Sequence, residues 1–324
     1  MAYVSSATAF HGYILAFAHR SASAVSRRHT PMRVFVVGAT GYIGRVVAQR
    51  LLSAGHIVSG LARTEQAAQA LKTHQIVPEA GNIDAPEQVA AIAAQADATI
   101  YVAAAATFAL DQQAVSAILA HYHDSGKRFI FTSGSAVFAD AAGGEPSNRV
   151  FTEAEPPTQA MMGERVDIEQ QVVAAHTSGV RAVVVRPPLV YGRGGSIQVP
   201  LLIDIARQTG IARYIGRGEN RWSTAHVDDL ADMYALVLQH DLSGEIFHAA
   251  SDEVRMRDLA DAVGRLLHLG PAVSWSMEEA KTWGAFVAGL GSNSRISGEK
   301  ARRMLGWQPH RISVLADVEF GSYQ

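Results

Sequence analysis

The chain has 324 residues, of which 48% are hydrophobic and 18% charged, and its formal net charge is −2. This composition is ordinary for a globular protein, and the nearly balanced charge excludes a polyanion-binding surface as the main function. Because the chain contains no cysteine, disulfide frameworks, thiol nucleophiles and thiolate metal sites are also excluded. The length fits one large α/β domain or two modest ones.

Residues 1–31 differ in composition from the rest of the chain. They contain no Asp or Glu, carry three arginines and are rich in Ala and Ser. The apolar piece at 13–18 is too short to span a bilayer, and the arginines follow it, unlike those of a secretory signal. Two interpretations remain: a mitochondrial-type presequence, or an extension upstream of a start at Met32. We favour the second, and therefore expect a cytoplasmic protein whose first 31 residues lie outside the fold.

Residues 33–44 (RVFVVGATGYIG) carry the strongest functional signal in the chain. An apolar strand is predicted first, then a turn with three glycines, then an amphipathic helix over 43–52. This order is typical of a loop that binds the pyrophosphate of a dinucleotide. We expect Gly38 to turn with positive φ, Gly41 to let phosphate oxygens approach, and Gly44 to let the helix pack closely on the strand. The free N–H groups at the helix start would then bind the anion.

The second predicted strand, residues 56–62, indicates which dinucleotide is bound. In such folds an acidic residue at its end binds the ribose 2′-hydroxyl, whereas a basic residue binds a 2′-phosphate. Here the strand leads into Arg63 with no Asp or Glu before it, and a guanidinium suits a phosphate. We therefore predict NADP as the cofactor, with NAD less favoured. The alternative is an ordinary surface arginine that opens the next helix.

Strands and helices alternate from Met32 onward. Short, almost continuously apolar strands are typical of a parallel sheet with helices on both faces, so the predicted fold is a doubly wound α/β sheet of the Rossmann type. The predicted strands are 75–77, 98–103, 128–132 and 181–186, and the predicted helices are 64–72, 86–95, one within 109–123, and 159–175.

The regular alternation ends at Tyr191. We interpret residues 32–191 as the dinucleotide-binding core and residues 192–324 mainly as a smaller C-terminal substrate lobe, with elements that return to the core. This lobe is built from insertions and is not a second independent domain. Its predicted helices are 199–208, 228–239, 256–268 and 278–290, with a strand at 245–249.

Six short motifs occur in order along the chain. They are GATGYIG (38–44), GNID (81–84), FIFTSGSAVF (129–138), RPPLVYG (186–192), AHVDDLA (225–231) and ARRMLGWQP (301–309). Together they resemble the extended branch of the short-chain dehydrogenase/reductase superfamily, the NAD-dependent epimerase/dehydratase group, over nearly the whole chain from Met32. The resemblance implies a Rossmann-type fold, a NAD(P) cofactor, and oxidoreductase, epimerase or dehydratase chemistry.

The resemblance also implies which residues bind the cofactor. Asn82 and Ile83 would lie beside the adenine, with Asn82 where an aspartate is more usual. Ala103 and Ala104 would form the floor under the cofactor, and Pro188 would pass near the nicotinamide. The full implied set is Gly38, Thr40, Gly41, Tyr42, Ile43, Gly44, Arg63, Asn82, Ile83, Ala103, Ala104, Arg165 and Pro188.

The chain departs from this family at the helix after the fifth strand. Family members carry Tyr-x-x-x-Lys there, and the tyrosine transfers a proton. Residues 159–173 (QAMMGERVDIEQQVV) contain neither residue type, and alignment puts Met161 at the tyrosine and Arg165 at the lysine. Arginine, with a pKa above about 12, is no acid or base near neutrality. Arg165 would therefore stabilise a developing alkoxide, or else be an exposed helix residue that pairs with Glu169.

The segment after the fifth strand carries the other candidate catalytic residues. An ungapped alignment places Gly134 at the family's catalytic serine, with Ser133 and Ser135 on either side. Either serine could polarise a carbonyl. Tyr191 or a water could supply the proton, and packing of the Tyr191 ring in the sheet is the alternative. We predict no metal site.

The leading hypothesis is an NADP-dependent oxidoreductase acting on a small carbonyl or hydroxyl substrate with an atypical active site. Two alternatives stay open. One is a non-catalytic protein that senses NAD(P) and regulates a partner. The other is a sugar-nucleotide epimerase or dehydratase, which rests on the resemblance alone. The expected partner is a small-molecule substrate, with no nucleic acid and no membrane, and a homodimer is left open.

Overall fold

The computed structural model describes residues 30–157 and 163–324. The strands are β1 (Arg33–Val37), β2 (Ile57–Ala62), β3 (Val77–Ala80), β4 (Ala98–Tyr101), β5 (Arg128–Thr132), β6 (Arg181–Arg186), β7 (Leu189–Tyr191), β8 (Arg213–Ile215), β9 (Arg221–His226), β10 (Glu245–His248), β11 (Asp252–Arg255) and β12 (Val273–Trp275). The α-helices are α1 (Tyr42–Ser53), α2 (Glu65–Thr73), α3 (Pro86–Ala93), α4 (Phe108–His121), α5 (Gly163–Ala174), α6 (Gln198–Thr209), α7 (Val227–Gln239), α8 (Met256–Leu266), α9 (Met277–Thr282), α10 (Ala285–Gly289), α11 (Glu299–Leu305) and α12 (Val314–Phe320). Residues 1–29, for which we predict a position outside the fold, are not among those described.

A central parallel sheet confirms the predicted doubly wound fold. Its strand order is β10-β6-β5-β4-β1-β2-β3, and neighbouring strands pair in parallel throughout. In β1, Val34 and Val36 belong to one buried apolar cluster, while Phe35 and Val37 belong to another. Successive side chains of a strand point to opposite faces, so this alternation shows that both faces of the sheet are covered.

Helices supply that cover. α1 and α7 pack against each other and share the cluster of Val34 and Val36. α3, α4 and α5 form the other layer, which shares the cluster of Phe35 and Val37. Because the chain leaves each parallel strand at the same edge, the loops after β1, β4 and β5 meet at the carboxyl end of the sheet.

The region after residue 192 builds its own apolar core and also extends the central sheet. α6, α8 and α12 pack beside two small sheets, of order β11-β9-β7 and β12-β8. β10 pairs in parallel with β6 at the edge of the central sheet. This arrangement places the residues before α6 and those of α10 over the carboxyl end of the sheet, where they line one cavity with the core loops.

Three predicted elements have different bounds in the structure. The single helix predicted over 278–290 is wrong, because α9 and α10 are separated by Gly284, whose φ is +112°. The strand predicted at 75–77 is also misplaced. Gln75 has a φ of +61°, which a strand cannot accommodate, and β3 begins at Val77. α5 begins at Gly163 in the described part of the chain, so the predicted start at residue 159 lies outside it.

None of the helices within residues 30–157 and 163–324 has the length and apolar character needed to cross a membrane. The same residues contain no group of three or more His, Asp or Glu side chains that could hold a metal ion.

Candidate cofactor and substrate site

The glycine loop between β1 and α1 has the geometry that its sequence predicts. Gly38 has a φ of +99°, and a Cβ there would lie 2.8 Å from the backbone nitrogen of Ala103. A Cβ on Gly44 would lie 2.1 Å from the carbonyl oxygen of Gly38. Both distances are shorter than atoms tolerate, so the turn and the close approach of α1 to β1 require glycine at both positions.

The start of α1 leaves backbone N–H groups available to an anion. Gly41 precedes the helix, and its own N–H donates to the carbonyl of Gly38 at 2.9 Å. Among the described residues, no side chain caps the helix, and its first turn contains no acidic residue. The first N–H groups of a helix have no partner within the helix, and its dipole attracts negative charge. Gly41 and Thr40 are exposed beside them.

Tyr42 connects this loop to the segment that follows β7. Its hydroxyl donates to the carbonyl oxygen of Gly192 at 2.8 Å. A Cβ on Gly195 would lie 2.3 Å from the Tyr42 ring, so the two segments are in direct contact. Burial raises the pKa of the Tyr42 hydroxyl, and the negative charge of nearby Asp317 adds to this effect. Tyr42 therefore stays protonated and serves as a fixed link.

One cavity of about 650 Å³ lies beside the glycine loop. Its described walls come from seven parts of the chain that meet at the carboxyl edge of the sheet. They are the start of α1, the β4–α4 connection, the loop after β5, the segment from Pro187 to Gln198, and side chains of α5, β9 and α10. Its lining residues include Gly41, Tyr42, Ile43, Gly44, Ala103, Ala104, Phe108, Asp111, Thr132, Ser133, Gly134, Ser135, Arg165, Pro188, Ile197, Trp222 and Phe286.

Arg165 is a fixed, buried cation in the wall of this cavity. Only 6% of the residue is exposed. Its Nη2 donates to the carbonyl oxygen of Thr132, and its Nη1 lies 3.5 Å from the carboxylate of Asp111. The guanidinium stacks over the ring of Phe131 at 5.0 Å. Its Nε is buried and has no hydrogen-bond partner in the part of the chain that the structure describes.

Asp111, in the first turn of α4, holds this cation. It is buried, accepts a hydrogen bond from the Tyr101 hydroxyl at 2.6 Å, and accepts another from the N–H of Ala105 at 3.0 Å. Burial, followed by the charge of Asp111, raises the pKa of Tyr101, so this tyrosine remains a donor. Two hydrogen bonds therefore fix the carboxylate, and the carboxylate in turn fixes Arg165.

The structure overturns one of the two interpretations of Arg165. The interpretation of Arg165 as an exposed residue paired with Glu169 is wrong, because Arg165 is buried. Glu169 is buried as well and accepts two hydrogen bonds from Arg186, at 3.0 and 2.5 Å. Positions 165, 169 and 172 form a buried stripe on α5, as the helical period requires. The i, i+4 spacing thus places Arg165 and Glu169 on the face that packs against the sheet, each with a different partner.

The two candidate serines have different surroundings. The Ser135 hydroxyl shares a hydrogen bond of 2.8 Å with the Ser294 hydroxyl. Ser133 lines the same cavity, and its hydroxyl oxygen is buried and has no partner among the described residues. Between them, Gly134 has an extended backbone, and a Cβ there would meet its nearest atom at 3.9 Å. The site therefore has room for the family's usual serine at position 134 and offers a free hydroxyl at position 133.

Other predicted residues lie outside the cavity wall. Tyr191 is buried, and its hydroxyl donates to the carbonyl oxygen of Ile312 at 2.7 Å, so the structure does not bring it to the cavity. Arg63 is exposed directly after β2. Asn82 and Ile83 follow β3, and the Asn82 amide donates to Asp84 at 3.1 Å. Met161 lies outside the described residues, so its alignment with the family tyrosine stays a prediction.

Sequence reasoning missed Asp111 and the apolar residues of the cavity. Asp111 had a readable signal, because it is a lone acidic residue among the apolar positions of α4 and becomes one of its buried side chains. Ile197, Trp222 and Phe286 had none, since they come from three distant segments that only the folded chain brings together.

The fold and the glycine loop define a dinucleotide-binding protein of the Rossmann type. A crystal structure of dTDP-glucose 4,6-dehydratase from Bacillus anthracis in complex with NAD superposes with a TM-score of 0.72 at 16% identity, covering 90% of this chain and 96% of that one. Among sequence relatives, an uncharacterized protein of Schizosaccharomyces pombe is 31% identical over 90% of this chain and 100% of its own length. A 4-hydroxy-2-methyl-3-oxo-4-farnesyl-3,4-dihydroquinoline-1-oxide ketoreductase of Stigmatella aurantiaca is 30% identical over 67% of each chain.

The family model for the NAD dependent epimerase/dehydratase family matches residues 34–250. The chain belongs to this family. Membership confirms the resemblance drawn from the six motifs, and together with the ketoreductase relative it indicates an NAD(P)-dependent oxidoreductase or epimerase.

Proposed function

We propose that the protein is an NADP-dependent reductase of a small carbonyl compound. The observation that carries the proposal is the cavity beside the glycine loop, which is lined both by Ser133, whose hydroxyl has no partner among the described residues, and by the fixed cation of Arg165. The ketoreductase relative, which resembles this chain over 67% of its length, supports the same reaction type.

The residues present fit a dinucleotide. The glycine loop turns with positive φ at Gly38 and brings α1 close to β1 at Gly44, and the start of α1 offers N–H donors to the pyrophosphate. Ala103 and Ala104 line the cavity with side chains too small to obstruct a flat ring. Arg63, exposed after β2 and without an ion-pair partner among the described residues, would bind a 2′-phosphate. Asn82 and Ile83 would lie at the adenine end.

Two side chains carry the chemistry in this proposal. The reduced dinucleotide, when bound, supplies a hydride to the carbonyl carbon, and the carbonyl oxygen becomes an alkoxide. Ser133 donates a hydrogen bond to that oxygen, and Arg165 stabilises its negative charge from a position already fixed by Asp111. The alkoxide then takes a proton from water, because Arg165 cannot release one near neutral pH. The product is an alcohol, and the dinucleotide is left oxidised.

The charges of the cavity disfavour a sugar-nucleotide substrate. Such a substrate carries a diphosphate, which proteins bind with free cations or helix N-termini. Among the described lining residues, only Asp111 and Arg165 are charged, and they already pair with each other. The start of α1 is assigned to the cofactor, while the start of α6, which also borders the cavity, carries no side-chain cap in the part of the chain that the structure describes. A nucleotide diphosphate would therefore find no free side-chain cation among the described residues on the substrate side.

A non-catalytic NAD(P) sensor is the second candidate, and one observation favours it. Of the titratable groups that line the described cavity, Tyr42 is bonded to Gly192, and Asp111 is paired with Arg165. None is a free acid that could replace the family tyrosine. A double variant, Met161→Tyr with Arg165→Lys, separates the candidates. If it gains carbonyl reduction that the wild type lacks, the native protein is a sensor.

The proposal is tested by following NADPH oxidation with a panel of aldehydes, ketones and quinones. We expect at least one to be reduced, and Ser133→Ala to lower kcat by about 10²-fold with unchanged NADPH affinity, the effect of removing one oxyanion donor. Ser135→Ala is the matched control, because its hydroxyl is bonded to Ser294, and its kcat should stay within about twofold of wild type. A folded wild type that binds NADPH and reduces none of the panel contradicts the proposal.

A further inference from the structure

Large apolar side chains dominate the solvent-facing end of the cavity. Ile197 is 69% exposed and Phe286 is 43% exposed, yet both line the same cavity as Ser133. Phe108 and the buried ring of Trp222 line it as well. Exposed large apolar residues that gather in one concave place mark a binding surface, whereas scattered ones need no explanation.

Several polar side chains that line the cavity are already hydrogen-bonded or paired. The indole N–H of Trp222, its only donor, bonds the carbonyl oxygen of Ser292 at 2.8 Å, so the ring presents carbon to the cavity. The Ser196 hydroxyl donates to the Gln198 side chain at 3.3 Å. Because Arg165 pairs with Asp111, no described lining residue offers a free charge to a substrate. A charged ligand would lose its hydration without gaining a free charge of opposite sign from a lining side chain.

The backbone before Ile197 is held in an uncommon conformation. Ser196 has a φ of +140°, which costs energy in a residue other than glycine. The preceding Gly195 is fixed by the Tyr42 ring and by the hydroxyl of Tyr323, which donates to its carbonyl oxygen. These contacts hold Ile197 at the cavity rather than among the apolar residues that pack beneath α6.

We propose that this cavity binds a neutral ketone or aldehyde with a bulky apolar substituent, and that Ile197, Phe286 and Trp222 determine this specificity by contacting the substituent. This inference rests on the proposed reductase function, since it places the carbonyl at Ser133 and the substituent at the solvent-facing end. Anionic keto acids and short ketones are therefore poor substrates.

The test uses the full chain with NADPH and three methyl ketones: acetone, 2-nonanone and the anion 4-oxopentanoate. One methylene in an apolar pocket changes kcat/KM by about 10-fold or more. We therefore expect the kcat/KM for 2-nonanone to exceed that for acetone and that for 4-oxopentanoate by at least about 100-fold. Phe286→Ala should lower kcat/KM for 2-nonanone about tenfold or more and should change kcat/KM for acetone less than about twofold. Phe320→Ala is the matched control, because that phenylalanine is 82% exposed and does not line the cavity.

A second measurement separates this inference from the proposed function. Ligand-detected NMR follows the binding of 2-nonanone in the presence of oxidised NADP, which does not reduce it. Binding that Phe286→Ala weakens, in a protein that reduces none of the three ketones with NADPH, would support the apolar site and contradict the reductase. Equal kcat/KM for the three ketones, or preference for 4-oxopentanoate, would keep the reductase and overturn the apolar site. Failure of 2-nonanone to bind would overturn the apolar site as well.

Discussion

Replacing Arg165 by methionine removes one partner of an ion pair that the fold buries almost completely. Arg165 and Asp111 have side chains only 8% and 2% exposed, respectively. Removing one member of a buried pair leaves the other charge uncompensated, which costs about 3–5 kcal/mol. Replacing an exposed helix residue, with loss of an i, i+4 ion pair, would cost only about 0.2–0.5 kcal/mol. We therefore expect Arg165→Met to lower the free energy of unfolding by about 3 kcal/mol or more.

The assay is urea unfolding followed by circular dichroism, with linear extrapolation to water. The double variant Asp111→Asn with Arg165→Met is the control, because asparagine still accepts from Tyr101 and Ala105 but carries no charge. It should regain most of the lost stability while kcat stays low, since the stabilising cation is absent. A loss below about 0.5 kcal/mol in Arg165→Met would refute the buried-pair account. Unchanged kcat in the folded double variant would remove Arg165 from the chemistry.

Three more predictions follow from other parts of the structure. Gly41→Val should abolish NADPH binding and preserve the fold, since Gly41 has an ordinary φ of −76°. Gly270→Val, at a glycine whose Cβ would meet open space, is the control in the same fluorescence titration. Unchanged NADPH affinity in Gly41→Val would refute the role of the glycine loop in binding the pyrophosphate. Arg63→Ala should weaken NADPH binding about tenfold or more, the effect of losing one charge-assisted hydrogen bond, and leave NADH binding unchanged. The control Arg303→Ala, at an exposed arginine, should alter the affinity for neither cofactor. Equal losses of affinity for the two cofactors in Arg63→Ala would exclude a role at the 2′-phosphate. Burial, with the nearby charge of Arg186, lowers the pKa of His248 from 6.5 to about 3. As the pH drops below 6.5 the unfolded chain therefore binds the proton first, and the free energy of unfolding falls, by about 2 kcal/mol at pH 5. His248→Gln should remove that part of the loss, and an unchanged pH dependence of its chemical unfolding would contradict the assignment.

The order of the main elements was predictable because they have local causes. β1 is apolar at every position from Val34 to Val37 and is followed by three glycines, a pattern that few other structures tolerate. The break between α9 and α10 was not predicted, because Gly284 interrupts an otherwise helical pattern, and an isolated glycine does not by itself end a helix. Gln75 was placed in a strand for a similar reason, since its positive φ is imposed by the turn after α2.

The cofactor side of the site was predictable and the substrate side was not. Gly38 predicts a turn with positive φ and Gly44 predicts close packing of α1 on β1, because both features require a residue without a Cβ. Arg165 was found only by comparison with a family pattern, and its environment depends on Asp111, a residue 54 positions away in sequence. Ile197 and Phe286 lie still further apart along the chain, and no local pattern links them.

Transfer of a label tests the central claim most directly. NADPH deuterated at the transferable position of the nicotinamide is incubated with the protein and the carbonyl panel, and the alcohol products are examined by NMR. The account predicts deuterium on the carbinol carbon of at least one product, in an amount equal to the NADPH oxidised. Deuterium retained in the dinucleotide, with every carbonyl compound unchanged while the protein binds NADPH, would contradict it.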